Sequence, residues 1–395
     1  MDLDGMIRTA KRAPFYAERI RENFEDTPVL TREDLVNNTP PRSTRMLTGR
    51  LRGAYVFSSG GTTASPVYAV YSPREFREWG RILGQDMGAF ISEGDTVANL
   101  CPPGNLWVGY ALVDMGLATT GCTILPLGAN APAAMTATVM KEFGCNAISG
   151  VPSTLNYIAK HVQQCGIELQ IDKVYCGGEF LSAESRGFLR EVMHVKEFYS
   201  AYGCVFGGYV GMQFTDRDDR IYRIHPDHTH IEILNERGER TDGVGRIVLT
   251  SLDRELMPVI RYDTEDIGRL VDDRHVELVG RAAGLVIVGG VSFSHRVVEE
   301  AVSGLCDPEA VQLRVSYDSD ECVDVLEVLV GTGGEIDVQG IREAVIKSTR
   351  EKDCSEIEEF LDKTFEIRVK RVRPEEMETS ERTGKMKKIV DAREV

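Results

Sequence analysis

The chain of 395 residues carries 62 acidic against 46 basic side chains, a formal net charge of −16, and is 42% hydrophobic. That balance argues against nucleic-acid and anionic-membrane partners and for a globular protein with a large core, and the length allows about two to three domains. No apolar run reaches the length of a membrane span, Met1-Asp2-Leu3-Asp4-Gly5 does not open a secretion signal, and nine cysteines without a Cys-x-x-Cys pair read as reduced thiols of a cytoplasmic protein.

In chain order, Thr31-Arg32-Glu33-Asp34 and Ser72-Pro73-Arg74-Glu75 read as helix starts. The second has a hydroxyl cap, proline in the first turn and a carboxylate three residues on. The helix it opens carries Phe76, Trp79, Ile82, Leu83 and Met87 at helical spacing, a core-facing stripe. From 96 to 205, short strand-like runs at 96–100, 123–126, 147–149, 173–176 and 197–199 alternate with helical stretches such as 153–162 and 183–192. This alternation predicts an α/β fold with a parallel sheet covered on both faces. Ligands on such sheets bind in loops at the carboxyl ends of strands, where Gly128, Gly150, Gly177-Gly178 and Gly203 fall. Residues 215–281 read as an antiparallel β subdomain, with runs at 230–234, 245–251 and 275–279. Beyond Arg281 a small α+β domain is expected: a helix at 293–305, a hairpin of 311–317 with 323–330, a helix at 338–350 and a strand at 365–372. The predicted division is 1–281 and 282–395.

Ser58-Ser59-Gly60-Gly61-Thr62-Thr63-Ala64-Ser65-Pro66 separates the apolar runs 54–57 and 67–71. Its backbone N–H groups and hydroxyls suit a polyphosphate, because no bulky side chain holds an anion away. It is not a Walker loop, since no Gly-Lys-Ser/Thr closes it. By itself it fits a hairpin turn equally well. Four further segments follow in order: Tyr199-Ser200-Ala201-Tyr202-Gly203, Arg261-Tyr262-Asp263-Thr264-Glu265-Asp266, Val279-Gly280-Arg281 and Arg382-Thr383-Gly384-Lys385.

This order resembles the adenylate-forming superfamily of acyl-CoA synthetases, adenylation domains and luciferases. The loop is similar to its Ser-Gly-Thr-Thr-Gly-x-Pro motif, Tyr202-Gly203 to Tyr-Gly-x-Thr-Glu, 262–266 to Tyr-Arg-Thr-Gly-Asp, Gly280-Arg281 to Gly-Arg-x-Asp-Asp, and Gly384-Lys385 to the terminal Gly-Lys. Ala13-Pro14-Phe15-Tyr16 and Gly177-Gly178-Glu179-Phe180-Leu181-Ser182 look more narrowly like the phenylacetate–coenzyme A ligase family. The resemblance implies ATP-dependent activation of a small aromatic carboxylic acid as an acyl adenylate, then transfer to coenzyme A. It implies Lys385 as the catalytic cation and Ser58, Ser59, Gly60, Gly61, Thr62 and Thr63 at the phosphates. Gly178, Glu179, Tyr202 and Gly203 are then expected around adenine, and Asp266 and Arg281 at the ribose. Trp107, Asn130, Tyr175 and Ala201 are acid-pocket candidates by loop position. The C-terminal domain is expected to reorient between half-reactions about 281–284. Transfer to a carrier-protein thiol or an amine, a homodimer, and a nucleotide-binding homologue without catalysis remain alternatives. Read singly, each residue has a plainer explanation: Lys385 a solvated tail lysine, Asp266 a turn aspartate, Arg281 a surface ion pair, Tyr202 a core tyrosine, Glu179 a first-turn helix carboxylate.

The chain also departs from the motifs. Ala64 stands where the loop-closing glycine is expected, Phe206 where a magnesium-ligating glutamate is expected, and Ala283 and Gly284 where the hinge aspartates are expected. Asp263 and Glu265 replace an arginine and a glycine, and are candidates for a substitute Mg2+ ligand. His225, His228 and His230 cluster in sequence, but a structural zinc site takes four ligands and no fourth is evident. No metal site is assigned to them.

Overall fold

The computed structural model describes residues 1–59, 67–214, 220–235, 237–281, 284–353, 357, 361, 363–379 and 386–394. The chain opens with α1 (Leu3–Ala10), α2 (Pro14–Arg19) and α3 (Arg32–Asn38), the last held by a Thr31–Asp34 capping box. Tyr16 is buried, donates its hydroxyl to Pro258 O at 3.0 Å and accepts from Ile260 N at 3.2 Å, so the opening segment is pinned to a chain stretch some 240 residues away. A hairpin of β1 (Tyr55–Ser59) and β2 (Val67–Tyr71) brackets the glycine- and hydroxyl-rich stretch. Then comes α4 (Pro73–Met87), capped by the reciprocal Ser72–Glu75 pair expected from the sequence. Its stripe of Phe76, Trp79, Ile82, Leu83 and Met87 is almost wholly buried, and each such side chain contributes about 1.5–3 kcal/mol of burial.

Strands and helices then alternate: β3 (Thr96–Asn99), α5 (Gly109–Ala118), β4 (Thr123–Leu125), α6 (Ala133–Glu142), β5 (Ala147–Gly150), α7 (Pro152–Gln164), β6 (Lys173–Gly177), α8 (Ala183–Met193) and β7 (Glu197–Cys204). The following strands are β8 (Gly208–Gln213), β9 (Ile221–Ile224), β10 (Thr229–Leu234), β11 (Gly245–Ser251), β12 (Tyr262–Asp272) and β13 (His275–Arg281). All except the first hairpin join one 11-stranded sheet, in the order β10-β11-β12-β13-β9-β8-β7-β6-β5-β3-β4. From β4 to β7 the neighbours are parallel, and from β7 to β10 antiparallel. The expected antiparallel β subdomain is present and continues the parallel sheet without a break. The reason lies in β8, buried at every position, which pairs with β7 and leaves no edge between the two halves.

The remainder contains a hairpin of β14 (Leu285–Val288) and β15 (Val291–Ser294), then α9 (His295–Ser303), β16 (Ala310–Asp318), β17 (Val323–Gly331), α10 (Val338–Asp353), β18 (Phe365–Val372) and β19 (Ile389–Asp391). Its four-stranded sheet runs β18-β17-β16-β19. The expected helix at 293–305 begins later, at His295. Val291 and Phe293 alternate into the small core, and a Gly289-Gly290 turn lets 291–294 pair back on 285–288. Among the described residues, no helix is long and apolar enough to cross a membrane.

Candidate active site

A cavity of about 380 Å3 opens where β6 and β7 end. Gly177 pairs with Ala201 across these parallel strands, so the loop Gly178-Glu179 and the segment Ala201-Tyr202-Gly203 lie side by side on one wall. Ile287, Gly289 and Gly290 from the C-terminal hairpin line the wall as well. Gly178, Gly289 and Gly290 have φ of 84°, 57° and 80°, the left-handed region that favours glycine. A Cβ at Gly290 would approach Glu179 Oε1 to 3.4 Å. Main chain from the C-terminal part thus closes directly over a carboxylate of the large sheet.

The structure gathers Ser58, Trp107, Tyr175, Gly178, Glu179, Ala201, Tyr202 and Gly203 around this one space. Asn130 lies outside it, in an exposed turn. Its loop follows β4, the outermost strand, and folds back through Gly128 N–H to Asn99 O and Ala129 N–H to Cys101 O. Lys385, Gly60, Gly61, Thr62 and Thr63 lie outside the described residues, as do the side chains of Ser59 and Arg281. Asp266 does not line the cavity but accepts the Tyr202 hydroxyl at 2.9 Å. It also stands opposite Arg281 across β12 and β13. The Tyr202 ring packs at 5.7 Å from Tyr222, and burial, then the Asp266 charge, pushes its phenol far above the ordinary range.

Glu179 is 9% exposed and sits at the N-terminus of α7, accepting from Ser153 N at 3.0 Å and Ser153 Oγ at 2.9 Å. Burial pushes its carboxyl up to about 7 and Asp324 adds to the rise, while Ser153 and Arg393 pull it down. Arg393, itself buried, bonds Asp324 at 2.5 Å, Asp391 at 2.6 Å and Ile287 O at 3.0 Å. Glu179 therefore faces an ionic cluster of the C-terminal part. An acid with a folded pKa above its unfolded value holds its proton longer when folded. Its stabilising contribution is complete below the unfolded value near 4.5 and is lost as pH rises through about 7. Glu179→Gln is expected to flatten that loss. Compared with wild type, the variant should gain up to about 3 kcal/mol at pH 8 and nothing at pH 4, measured by denaturant unfolding across that range. Equal pH dependence of the two proteins would contradict the assignment.

Among the described residues, two carboxylates line the cavity, Glu179 and Glu265. Phe206, where the motif places a metal-binding glutamate, is 1% exposed with its ring 5.6 Å from Tyr262, so no magnesium ligand stands there. Asp263 is paired with Arg246 at 2.6 Å. Glu265, with φ of 63°, is the second carboxylate of this wall. The histidines are dispersed among carboxylates and rings: His225 Nε2 lies 2.8 Å from Asp86, His228 Nδ1 2.6 Å from Asp253, and His230 packs on Phe24. Among the described residues no group of three or more metal-ligating side chains forms.

Several groups around the site were not anticipated. Asp86, 1% exposed on α4, holds the Tyr209 hydroxyl, Arg223 and His225. Burial works against its charge, but hydrogen bonds from His225, Tyr209 and Arg223 outweigh it and keep the carboxyl below the ordinary range. Arg254 is fully buried, bonds Phe206 O at 2.6 Å and Val70 O at 2.8 Å, and lies 3.6 Å over the Tyr71 ring. It ties the β7–β8 turn, part of the cavity wall, to the first hairpin.

No family model matches the sequence. The chain is 26% identical over 305 residues to phenylacetate-coenzyme A ligase of Aromatoleum evansii, covering 73% of this chain and 68% of that one. It is 25% identical over 259 residues to phenylacetate-coenzyme A ligase of Pseudomonas putida, covering 62% and 58%. This chain thus matches less than two thirds of the second ligase's length and little more of the first's. Over 127 residues, 32% of this chain and 30% of the relative, it is 30% identical to indoleacetate–lysine synthetase of Pseudomonas savastanoi. The fold matches a crystal structure of 2-hydroxyisobutyryl-CoA ligase in complex with 2-HIB-AMP and CoA in its thioesterification state, with a TM-score of 0.72, 17% identity, and coverage of 98% of this chain and 88% of that one. Fold and sequence together place the chain in the adenylate-forming superfamily. Within it, the sequence stands near the phenylacetate–coenzyme A ligases.

Proposed function

We propose that this protein activates a small carboxylic acid with ATP and passes the acyl group to coenzyme A. A carboxylate oxygen attacks the α-phosphorus, the acyl–phosphate bond forms, and pyrophosphate leaves. A thiol then attacks the acyl carbonyl, and AMP leaves. The observation that carries this reading is the shared cavity, walled by the Gly178-Glu179 and Tyr202-Gly203 loops on one side and by the Gly289-Gly290 turn on the other. In this reading the loops hold adenine, Asp266 and Arg281 serve the ribose, and the stretch 58–63 serves the phosphates. Residues 1–281 form the adenylating unit and 282–395 the unit that brings Lys385 and later gives way to the acceptor. Trp79, Trp107, Leu112 and Val113 on the cavity wall favour an acid with an aromatic body.

Incubation with ATP, magnesium, coenzyme A and a panel of aryl acids should yield AMP and the acyl thioester in equal amounts. Without coenzyme A, acid-dependent exchange of labelled pyrophosphate into ATP should persist. No exchange with any acid would contradict the adenylation step. The match to a synthetase named for joining indoleacetate to lysine favours a second reading, transfer to an amine. Exchange that persists while coenzyme A is never acylated, followed by amide formation with lysine, would replace the thioester reading by this one.

A further inference from the structure

One tyrosine on the cavity wall has a hydroxyl with no hydrogen-bond partner among the described residues. Tyr175 lies on β6, where Val174 and Cys176 point into the core on one face of the sheet and Tyr175 points to the other, towards α4 and α5. It is 7% exposed and lines the cavity. Its hydroxyl makes no hydrogen bond to any described residue. Three other buried ionisable groups on the wall differ: Tyr202 is bound to Asp266, Tyr209 to Asp86 and Glu179 to Ser153. The oxygen is not among the fully buried polar atoms, so it opens to the cavity and is available to a bound ligand.

Its surroundings specify the ligand further. Tyr209, 5% exposed, lines the same cavity as Tyr175. The Tyr209 proton is committed to Asp86, whose carboxylate is held by Arg223 and His225 as well. The Tyr209 oxygen therefore has only acceptor lone pairs left to offer a ligand. Tyr175 keeps a free proton to donate. Around them stand Trp79, Leu112 and Val113, which bind an apolar body.

We propose that Tyr175 and Tyr209 form a hydroxyl-reading subsite, so that the acid is an aryl acid carrying a hydroxyl that donates to Tyr209 Oη and accepts from Tyr175 Oη. This rests on the adenylation reading for the cavity and adds the class of acid. A hydrogen bond of this kind is worth about tenfold in affinity. In contrast, a purely apolar pocket discriminates weakly against an added hydroxyl.

The test compares phenylacetic acid with its 2-, 3- and 4-hydroxy derivatives, by calorimetric binding and by acid-dependent pyrophosphate exchange, in wild type and Tyr175→Phe. At least one hydroxy isomer should bind wild type about tenfold tighter than the parent acid and be used with a correspondingly higher kcat/KM. Tyr175→Phe should erase that preference, so that phenylacetic acid and every hydroxy isomer bind the variant within about threefold of one another. The binding comparison within wild type decides the matter even if the variant folds poorly. Absence of any preference among the isomers in wild type overturns the proposal, and so does a preference that survives in Tyr175→Phe. Exchange without preference leaves adenylation standing and removes the subsite. Preference in binding with no exchange leaves the subsite and removes the adenylation reading.

Discussion

Lys385→Ala is expected to lower acid-dependent pyrophosphate exchange by about two or more orders of magnitude, the scale of losing one preorganised charge at a developing phosphoryl anion. The motif Gly384-Lys385 carries this expectation. In the arrangement described here, the Gly289-Gly290 turn and Ile287 occupy the cavity's edge, next to Glu179. Thr379 and Met386, which flank the segment containing Lys385, pair with each other, and Leu313 N–H bonds Lys388 O just before β19. If a chemically prepared acyl adenylate is supplied instead, Lys385→Ala should convert it to thioester within a few-fold of wild type. Exchange within a few-fold of wild type would remove Lys385 from the chemistry. Equal loss in both half-reactions would show a structural rather than an electrostatic role.

Much of this architecture was legible because hydrophobic periodicity reports burial directly. The strand expected at 365–372 has those bounds, and the helix cap at Ser72 is present as a reciprocal pair. Continuity of the large sheet was not legible. It depends on β8 pairing with β7 and β9, and no local feature of a strand names its neighbours. Asn130 illustrates a related limit. A loop at a strand's carboxyl end lines a cavity only if the strand is interior, and β4 is the sheet edge. Asp86 did leave a signal. It falls seven residues after Trp79 and three after Leu83, on the buried stripe of α4, where a carboxylate needs partners. Those partners, Tyr209, Arg223 and His225, lie more than 120 residues away and could be found only in three dimensions. The same network disperses the histidine cluster: His225 turns to Asp86, and His228 to Asp253. The Gly289-Gly290 turn between two valine-rich runs was also readable as a hairpin, but its place on the cavity wall was not.

Asp266 is expected to set the enzyme's dependence on the ATP ribose, and the structure dictates how to test it. One carboxylate oxygen already accepts the Tyr202 hydroxyl at 2.9 Å. Removing the carboxylate would strand a buried phenol, a cost of about 1–3 kcal/mol in stability unrelated to ATP. Asp266→Asn keeps an acceptor for Tyr202 and removes the charge, so it is the cleaner probe. Charge-assisted hydrogen bonds contribute about 1.5–3 kcal/mol each. Asp266→Asn should therefore raise the KM for ATP about 10- to 100-fold, while the KM for the acid changes little. Asp266→Ala should show the same change in ATP use and, in addition, a lower melting temperature. In wild type, 2′,3′-dideoxy-ATP should bind as weakly as ATP binds to Asp266→Asn, and the variant should no longer distinguish the two nucleotides. If wild type binds both nucleotides equally, Asp266 does not contact the ribose. Its partnership with Tyr202 would then be its whole function, holding the cavity wall in place.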